Sequence, residues 1–431
     1  MRIRRKALIA LTLTAAATVG GYLWGQTDPN VVYLKGLRAV ELGQWAAVLE
    51  NSDELDRFPD FASHRALLRA FELKSKGQLV NALVEFSKAQ SHPATREESY
   101  FQGGSICYQL KQYGDCIRLF RQVLVWNPEH LEAHKLLAAS YYDIGAMGMA
   151  VDSLTNVSRL KPEDFRPHYM QGTIYFEAER FADAHEAFEI AASLAPLNST
   201  VADEVRAKWG ECLIRLRRYE DALHAMEPAR PWPAILTHRA QACFSLRQFA
   251  EAKGFAEEAL TRNPLNPEAA IVVAQIHERE GHPESGVSLL QKCLAVHPMN
   301  LTLHQKLGEL LAGIGRINES LAHRTRAGEI ADLRQQFSLA HQNAATDASN
   351  PDLRLKLADL AEKLGETELA HGWYLAAIGM SPNDEQIQEQ WKQFQARNPQ
   401  TASQTIPPPK AKQTNLPKSS SPPQKSPSVE F

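Results

Sequence analysis

Apolar and small residues recur along this chain at spacings of three and four, in runs closed by polar turns. In Tyr100-Phe101-Gln102-Gly103-Gly104-Ser105-Ile106-Cys107-Tyr108, and again in Tyr113, Cys116, Ile117 and Phe120, the spacing is that of one helix face. Between the two runs Lys111-Gln112-Tyr113-Gly114-Asp115 supplies a tight polar turn, so the pattern predicts a pair of helices. The second helix is expected to stop near Trp126, because Asn127 precedes a proline and that position is biased away from the helical region. Asn127 is then expected to cap the following helix, with Pro128 in its first turn. The same punctuation returns at Lys161-Pro162-Glu163-Asp164, Asn266-Pro267-Glu268 and Asn350-Pro351-Asp352.

The helix pair repeats. Pro128, Pro162 and Pro196 stand 34 residues apart, as do Pro264 and Pro298. Ala82, Cys116, Ala150, Ala184, Ala252, Gly286 and Ser320 keep the same beat as small residues, separated by 34 or by twice 34. A fixed period of this length predicts a stacked array of about ten units. The register slips twice. The unit around Trp209, Gly210 and Ala222 arrives four residues late, after Leu197-Asn198-Ser199-Thr200, and the next, around Ala240 and Ala252, is four shorter. A longer helix or loop is expected there. Between Ala331 and Asn350, Gln335 to His341 is expected to lengthen a helix that Ala345 to Asn350 then breaks. Beyond Pro382, Ile387, Trp391 and Phe394 share one face of a polar helix, as a cap closing the array would.

At these residues the units resemble tetratricopeptide repeats, whose signature spreads an aromatic, Leu-Gly, Tyr, Ala, Phe, Ala and a closing Pro over 34 positions. Gly172, Tyr175, Ala184, Phe188, Ala191 and Pro196 carry the fullest match. Leu137, Ala138, Tyr141 and Ala150 match in an earlier unit, and Leu357, Ala358, Ala370, Tyr374 and Ala377 in the last. The resemblance implies an all-α, right-handed solenoid of helix-turn-helix units over residues 28–398. It also implies a surface for binding proteins, with first helices lining a groove.

The two ends differ from this body. Arg2, Arg4, Arg5 and Lys6 precede an uncharged, largely apolar run from Ala7 to Trp24, close to the shortest length that spans a bilayer. Residues 1–27 are therefore expected to be a retained anchor or a cleaved secretory signal, the apolar run continuing past the small residues Ala15 to Ala17. With the cationic end inside, the repeats face out of the cytoplasm, as in a membrane-anchored bacterial tetratricopeptide protein, or are secreted or periplasmic if the signal is cut. Residues 399–431 turn to Pro, Ser, Lys and Gln and are expected to form a disordered tail.

Charge and composition narrow the function. The net charge is -3, and because residues 1–27 carry +4 and the tail +3, the body between is near -10. Such a surface is wrong for a nucleic-acid backbone, which binds through lysines and arginines. Cys107, Cys116, Cys212, Cys243 and Cys293 are isolated and fall at or beside core positions, so buried free thiols are expected and no zinc or redox motif. No His-Glu-x-x-His, Gly-x-Ser-x-Gly or phosphate-binding glycine loop occurs, and the repeats leave no stretch for a catalytic domain. Neither an enzyme nor a bound metal or cofactor is expected.

The resemblance places Phe71, Phe101, Tyr108, Tyr142, Tyr169, Phe176 and Phe244 between signature positions of the first helices. If exposed, they form an aromatic stripe for an extended peptide or helix, with Glu132, Lys135, Asp143, Arg166 and Glu177 setting register. The groove positions that grip a terminal carboxylate in heat-shock co-chaperones hold Phe71, Ser105, Ala139, Thr173, Gln241 and Gln275, none an Asn, so that specialisation is not expected. The expected function is a protein-interaction scaffold or adaptor. A self-associating envelope spacer, which makes a homo-oligomer, and an accessory subunit of an envelope enzyme are the alternatives.

Overall fold

The structure, a computed structural model, describes residues 28–399 except 144–145, 348–349 and 382–383. The expected membrane segment at 1–27, the tail from residue 400 and Pro382 lie outside the described residues. Among the described residues all regular structure is helical, and no helix is long and apolar enough to cross a membrane.

The chain divides into two compact units at residue 137. The first holds α1 (Pro29–Glu41), α2 (Trp45–Glu54), α3 (Ala62–Ser75), α4 (Leu79–Ala89), α5 (Pro93–Gln109), α6 (Tyr113–Trp126) and the start of α7 (Leu131–Asp143). Here α1 packs on α2, α3 on α4 and α5 on α6, and α1 also touches α3 as α3 touches α5. Two short 3-10 turns, Leu55–Arg57 and Pro59–Phe61, link α2 to α3.

The second unit continues α7 and adds α8 (Met147–Leu160), α9 (Phe165–Glu177), α10 (Phe181–Leu194), α11 (Thr200–Arg215), α12 (Tyr219–Met226), α13 (Pro233–Ser245) and α14 (Phe249–Arg262). It ends with α15 (Pro267–Arg279), α16 (Pro283–Val296), α17 (Leu301–Gly313), α18 (Ile317–Thr346), α19 (Pro351–Lys363), α20 (Thr367–Met380) and α21 (Glu385–Arg397). From α9 onward each odd-numbered helix packs on its successor, and α11, α13, α15 and α17 also touch one another in order. Their even-numbered partners make no comparable contact. First helices that meet while second helices splay turn one face of the first helices inward, and that face is the candidate binding surface.

The period is legible in the packing. Ala82, Cys116, Ala150, Ala184, Ala222, Ala252, Gly286 and Ser320 are all buried. Helix ends explain the turns: α1 closes with the Gly43 N–H donating to Val40 O and the Gln44 N–H to Ala39 O, which satisfies two end carbonyls with Gly43 at φ 67°. The same left-handed position holds Gly77, Gly281 and Gly315, but also Lys111, Glu179, Arg217 and Arg247. At helix starts, Asn266 and Asn350 cap as the sequence predicts, accepting from Ala269 N–H and Asp352 N–H. Asn127 does not. Pro128 lies in the turn before α7, His130 Nδ1 accepts from Ala133 N–H, and Asn127 instead closes α6 and donates from Nδ2 to Glu97 Oε1. At Lys161-Pro162 the cap is Asp164, which accepts from Arg166 N–H.

Both irregularities have a structural form. Of the four late residues Leu197 and Asn198 form a turn, Ser199 caps α11 and Thr200 begins it; α11 runs to 16 residues, and the phase is recovered by an α12 of only 8 residues. Residues 335–341 extend α18 to 30 residues. At the end of the unit Ile387, Trp391 and Phe394 of α21 are buried together with Trp373 and Tyr374, as a capping helix requires.

Candidate functional site

The aromatic residues of the first helices are not an exposed stripe. Tyr142 and Tyr169 are buried, at 6% and 4% exposure, and each hydroxyl donates to a carboxylate on a later helix, Tyr142 to Glu177 Oε1 and Tyr169 to Glu204 Oε1, both at 3.0 Å. Burial, with those carboxylates beside them, raises both phenol pKa values. Phe71, Phe101, Tyr108, Phe176 and Phe244 are half-buried. Tyr108 meets Tyr113, Phe176 meets Phe181 and Phe244 meets Phe249, edge to face, with centroids 5.9, 5.3 and 5.4 Å apart. Each of these pairs clasps the turn within a helix pair, five residues apart, while Phe71 and Phe101 lie against Phe86 and Phe120 of the second helices. A first-helix ring beside a short turn reaches its own second helix before it reaches solvent. The flanking charges are also engaged locally, Lys135 with Glu132 and Arg166 with Asp164.

What the first helices of the second unit do leave open is a hollow of about 510 Å³ between α11 and α13. It follows from the register slip. With α12 cut to 8 residues, the chain returns through Glu227 to Trp232, and Trp232, within the sequence Arg230-Pro231-Trp232-Pro233, lines the hollow. Asp203, 5% exposed in the first turn of α11, accepts from the Arg230 backbone N–H at 3.1 Å and from Arg230 Nε at 2.5 Å. Two bonds to one buried carboxylate, and prolines on both sides of Trp232, fix this loop. Trp232 is thereby left 46% exposed, with the Arg230 guanidinium 5.9 Å from its ring centre.

The floor is apolar, built from Ile235, Ala207 and Ala234, and the walls are charged. Lys208 Nζ donates to Glu211 Oε2 at 3.1 Å. Glu204 accepts from the Tyr169 hydroxyl and has no ion-pair partner among the described residues. His238 Nδ1 donates to Gln241 Oε1 at 3.3 Å; burial lowers its pKa, against the pull of Glu211 and Glu268, and Lys208 adds to the lowering. The imidazole is therefore neutral at pH 7 and does not offset the carboxylates. A second hollow, about 720 Å³, lies against α21, but its apolar members Leu355 and Tyr374 are buried and Gln386, Gln390 and Gln393 make its wall polar.

Sequence reasoning does not find this hollow among its seven aromatics. The signals for it are the Leu197 to Thr200 slip and a tryptophan between two prolines. No group of three or more His, Cys, Asp or Glu side chains with metal-binding geometry occurs among the described residues.

Residues 169–227 match the family model for the tetratricopeptide repeat, a span that runs from α9 through α12. The "TPR repeat-containing protein YpiA" of Bacillus subtilis is 22% identical over 166 residues, 38% of this chain and 39% of that protein. The chain thus matches about two-fifths of that relative's length. Among solved structures, one titled "Structure of Naa15/Naa10 bound to HypK-THB" is 14% identical over 88% of this chain and 67% of that one, with a TM-score of 0.47. A structure titled "MamA AMB-1 C2221" is 17% identical over 39% of this chain and 98% of that one, with a TM-score of 0.34.

Proposed function

We propose that this chain, which carries tetratricopeptide repeats, is a non-enzymatic protein-interaction scaffold that binds partners on the inward face of its first helices. The supporting observation is the contact of α11, α13, α15 and α17 with one another while their second helices splay, which leaves one connected face with an apolar hollow in it. Repeat arrays of this kind present an extended inner surface, because each unit contacts only its neighbours.

The scaffold acts outside the cytoplasm, held at an inner membrane through residues 1–27. Arg2, Arg4, Arg5 and Lys6 ahead of the apolar run from Ala7 to Trp24 support that placement. A photoreactive residue at Thr200 or Ala234, on the first helices, is expected to crosslink another protein in intact cells. The same residue at Glu189 or Glu257, exposed on second helices, is expected not to. Equal crosslinking from both faces, or none from the first helices, overturns the scaffold reading. A reporter active only outside the cytoplasm, fused after Phe431, tests the topology separately.

A further inference from the structure

The inward face carries one place where recognition chemistry is already assembled, and what it takes follows from its charges. This step rests on the scaffold reading and names the partner's chemistry. Three carboxylates edge the hollow between α11 and α13. Asp203 is matched by Arg230 and Glu211 by Lys208, whereas Glu204 has only the Tyr169 hydroxyl. One negative charge is thus uncompensated beside an apolar floor, in a repeat body that is itself acidic. An anionic ligand is repelled there; a cation gains a charge-assisted hydrogen bond. Trp232 adds the second requirement. A fixed indole, 46% exposed and lining the hollow with Ile235, offers an apolar platform that a lone ion does not use.

We propose that the hollow between α11 and α13 anchors an extended, cationic segment of a partner protein, which places a Lys or Arg side chain on Glu204 and an adjacent apolar residue on Trp232. The charge fixes the register of the segment and the indole supplies the buried contact. The Asp203 to Arg230 clamp holds Trp232 in place beforehand, so that little ordering remains to be done on binding.

The full chain is titrated with a fluorescein-labelled dodecapeptide of four Leu-Pro-Lys triplets, followed by anisotropy, beside the same peptide with Glu in place of Lys. Binding of the lysine peptide is expected to weaken at least fivefold in Glu204→Gln and in Trp232→Ala, and with added salt. Glu189→Gln, on a second helix, is expected to leave it unchanged, and the glutamate peptide is expected not to bind. Helical circular dichroism of each variant confirms folding. Lysine-peptide binding that is absent, that is matched by the glutamate peptide, or that is equal in wild type, Glu204→Gln and Trp232→Ala overturns the proposal. If first-helix crosslinks to a partner persist in those two variants, the scaffold reading stands while this assignment falls.

Discussion

The backbone of Gly172 lies against the ring of Phe188: a Cβ at position 172 would sit 2.6 Å from Cδ1 and 2.7 Å from Cε1 of a fully buried side chain. The relationship repeats at sixteen residues' separation. A Cβ on Gly104 would meet the Phe120 ring at 2.8 Å, and one on Gly210 would meet Met226 Sδ at 2.5 Å. Each pair joins the first helix of a unit to its second, and the missing side chain is what lets the large residue close the crossing.

Gly172→Ala is therefore expected to destabilise the chain by about 1–3 kcal/mol, and Gly172→Leu by more, because the ring that the new side chain strikes is fully buried. Gly254, mid-helix in α14, has nothing within 4 Å of its Cβ position, and Gly254→Ala is expected to stabilise by about 1 kcal/mol. Thermal melts of the three variants check both signs. A Gly172→Leu chain that melts with the wild type shows that the crossing is misplaced.

These crossings were legible from sequence because small residues keep the 34-residue beat, as did the long α18 and the capping face of Ile387, Trp391 and Phe394. The burial of the first-helix aromatics was not legible, for a physical reason. Periodicity places Tyr142 and Tyr169 on the first helices, but whether a ring faces solvent depends on how near the next helix lies, and period alone does not report that. The hollow depends on Asp203 and Arg230, 27 residues apart, one in α11 and the other in the loop before α13. Only the slip before α11 and the Pro-Trp-Pro sequence hinted that regular packing fails there.

Turn residues give a second prediction. Gly77 ends α3 at φ 72°, a conformation that costs a side-chain-bearing residue about 1–2 kcal/mol. Gly77→Ala is expected to lose about that much. Glu179 and Arg247 already stand in this conformation, at φ 57° and 62°. Replacing either with Gly is expected to raise stability by about 0.5–1 kcal/mol, the relief exceeding the entropy glycine adds to the unfolded chain. Denaturation midpoints that fall in the Glu179→Gly and Arg247→Gly chains contradict it.

All five cysteines are free and buried, and burial pushes the Cys107 thiol up to about 11 and that of Cys212 to about 12. Cys212 Sγ also donates to the Phe181 carbonyl at 3.2 Å. Such thiols hold almost no thiolate at neutral pH. The native chain is expected to react slowly with iodoacetamide at pH 8, and all five thiols only after denaturation, counted by mass. Rapid modification of any one in the folded chain marks that site as open and reactive.

His64 sets the pH response of the first unit. Its ring, 6% exposed, lies 4.6 Å from the rings of Tyr33 and Phe61 and 4.5 Å from that of His92, and its Nδ1 has no hydrogen-bond partner among the described residues. Burial, and secondarily the neighbouring His92, lowers its pKa from 6.5 to about 4. A histidine whose pKa is depressed on folding contributes stability that is complete above the unfolded value and is lost as pH falls toward the folded one. His64 alone is then expected to remove about 2 kcal/mol between pH 7 and pH 5, a window above the range where carboxylates protonate. His64→Phe, which keeps the ring and drops the titration, is expected to flatten that part of the curve. Proton NMR of the imidazole checks the cause directly: titration near 4 agrees with a neutral buried ring, whereas titration near 6.5 means that charging His64 costs the fold nothing and the acid sensitivity arises elsewhere.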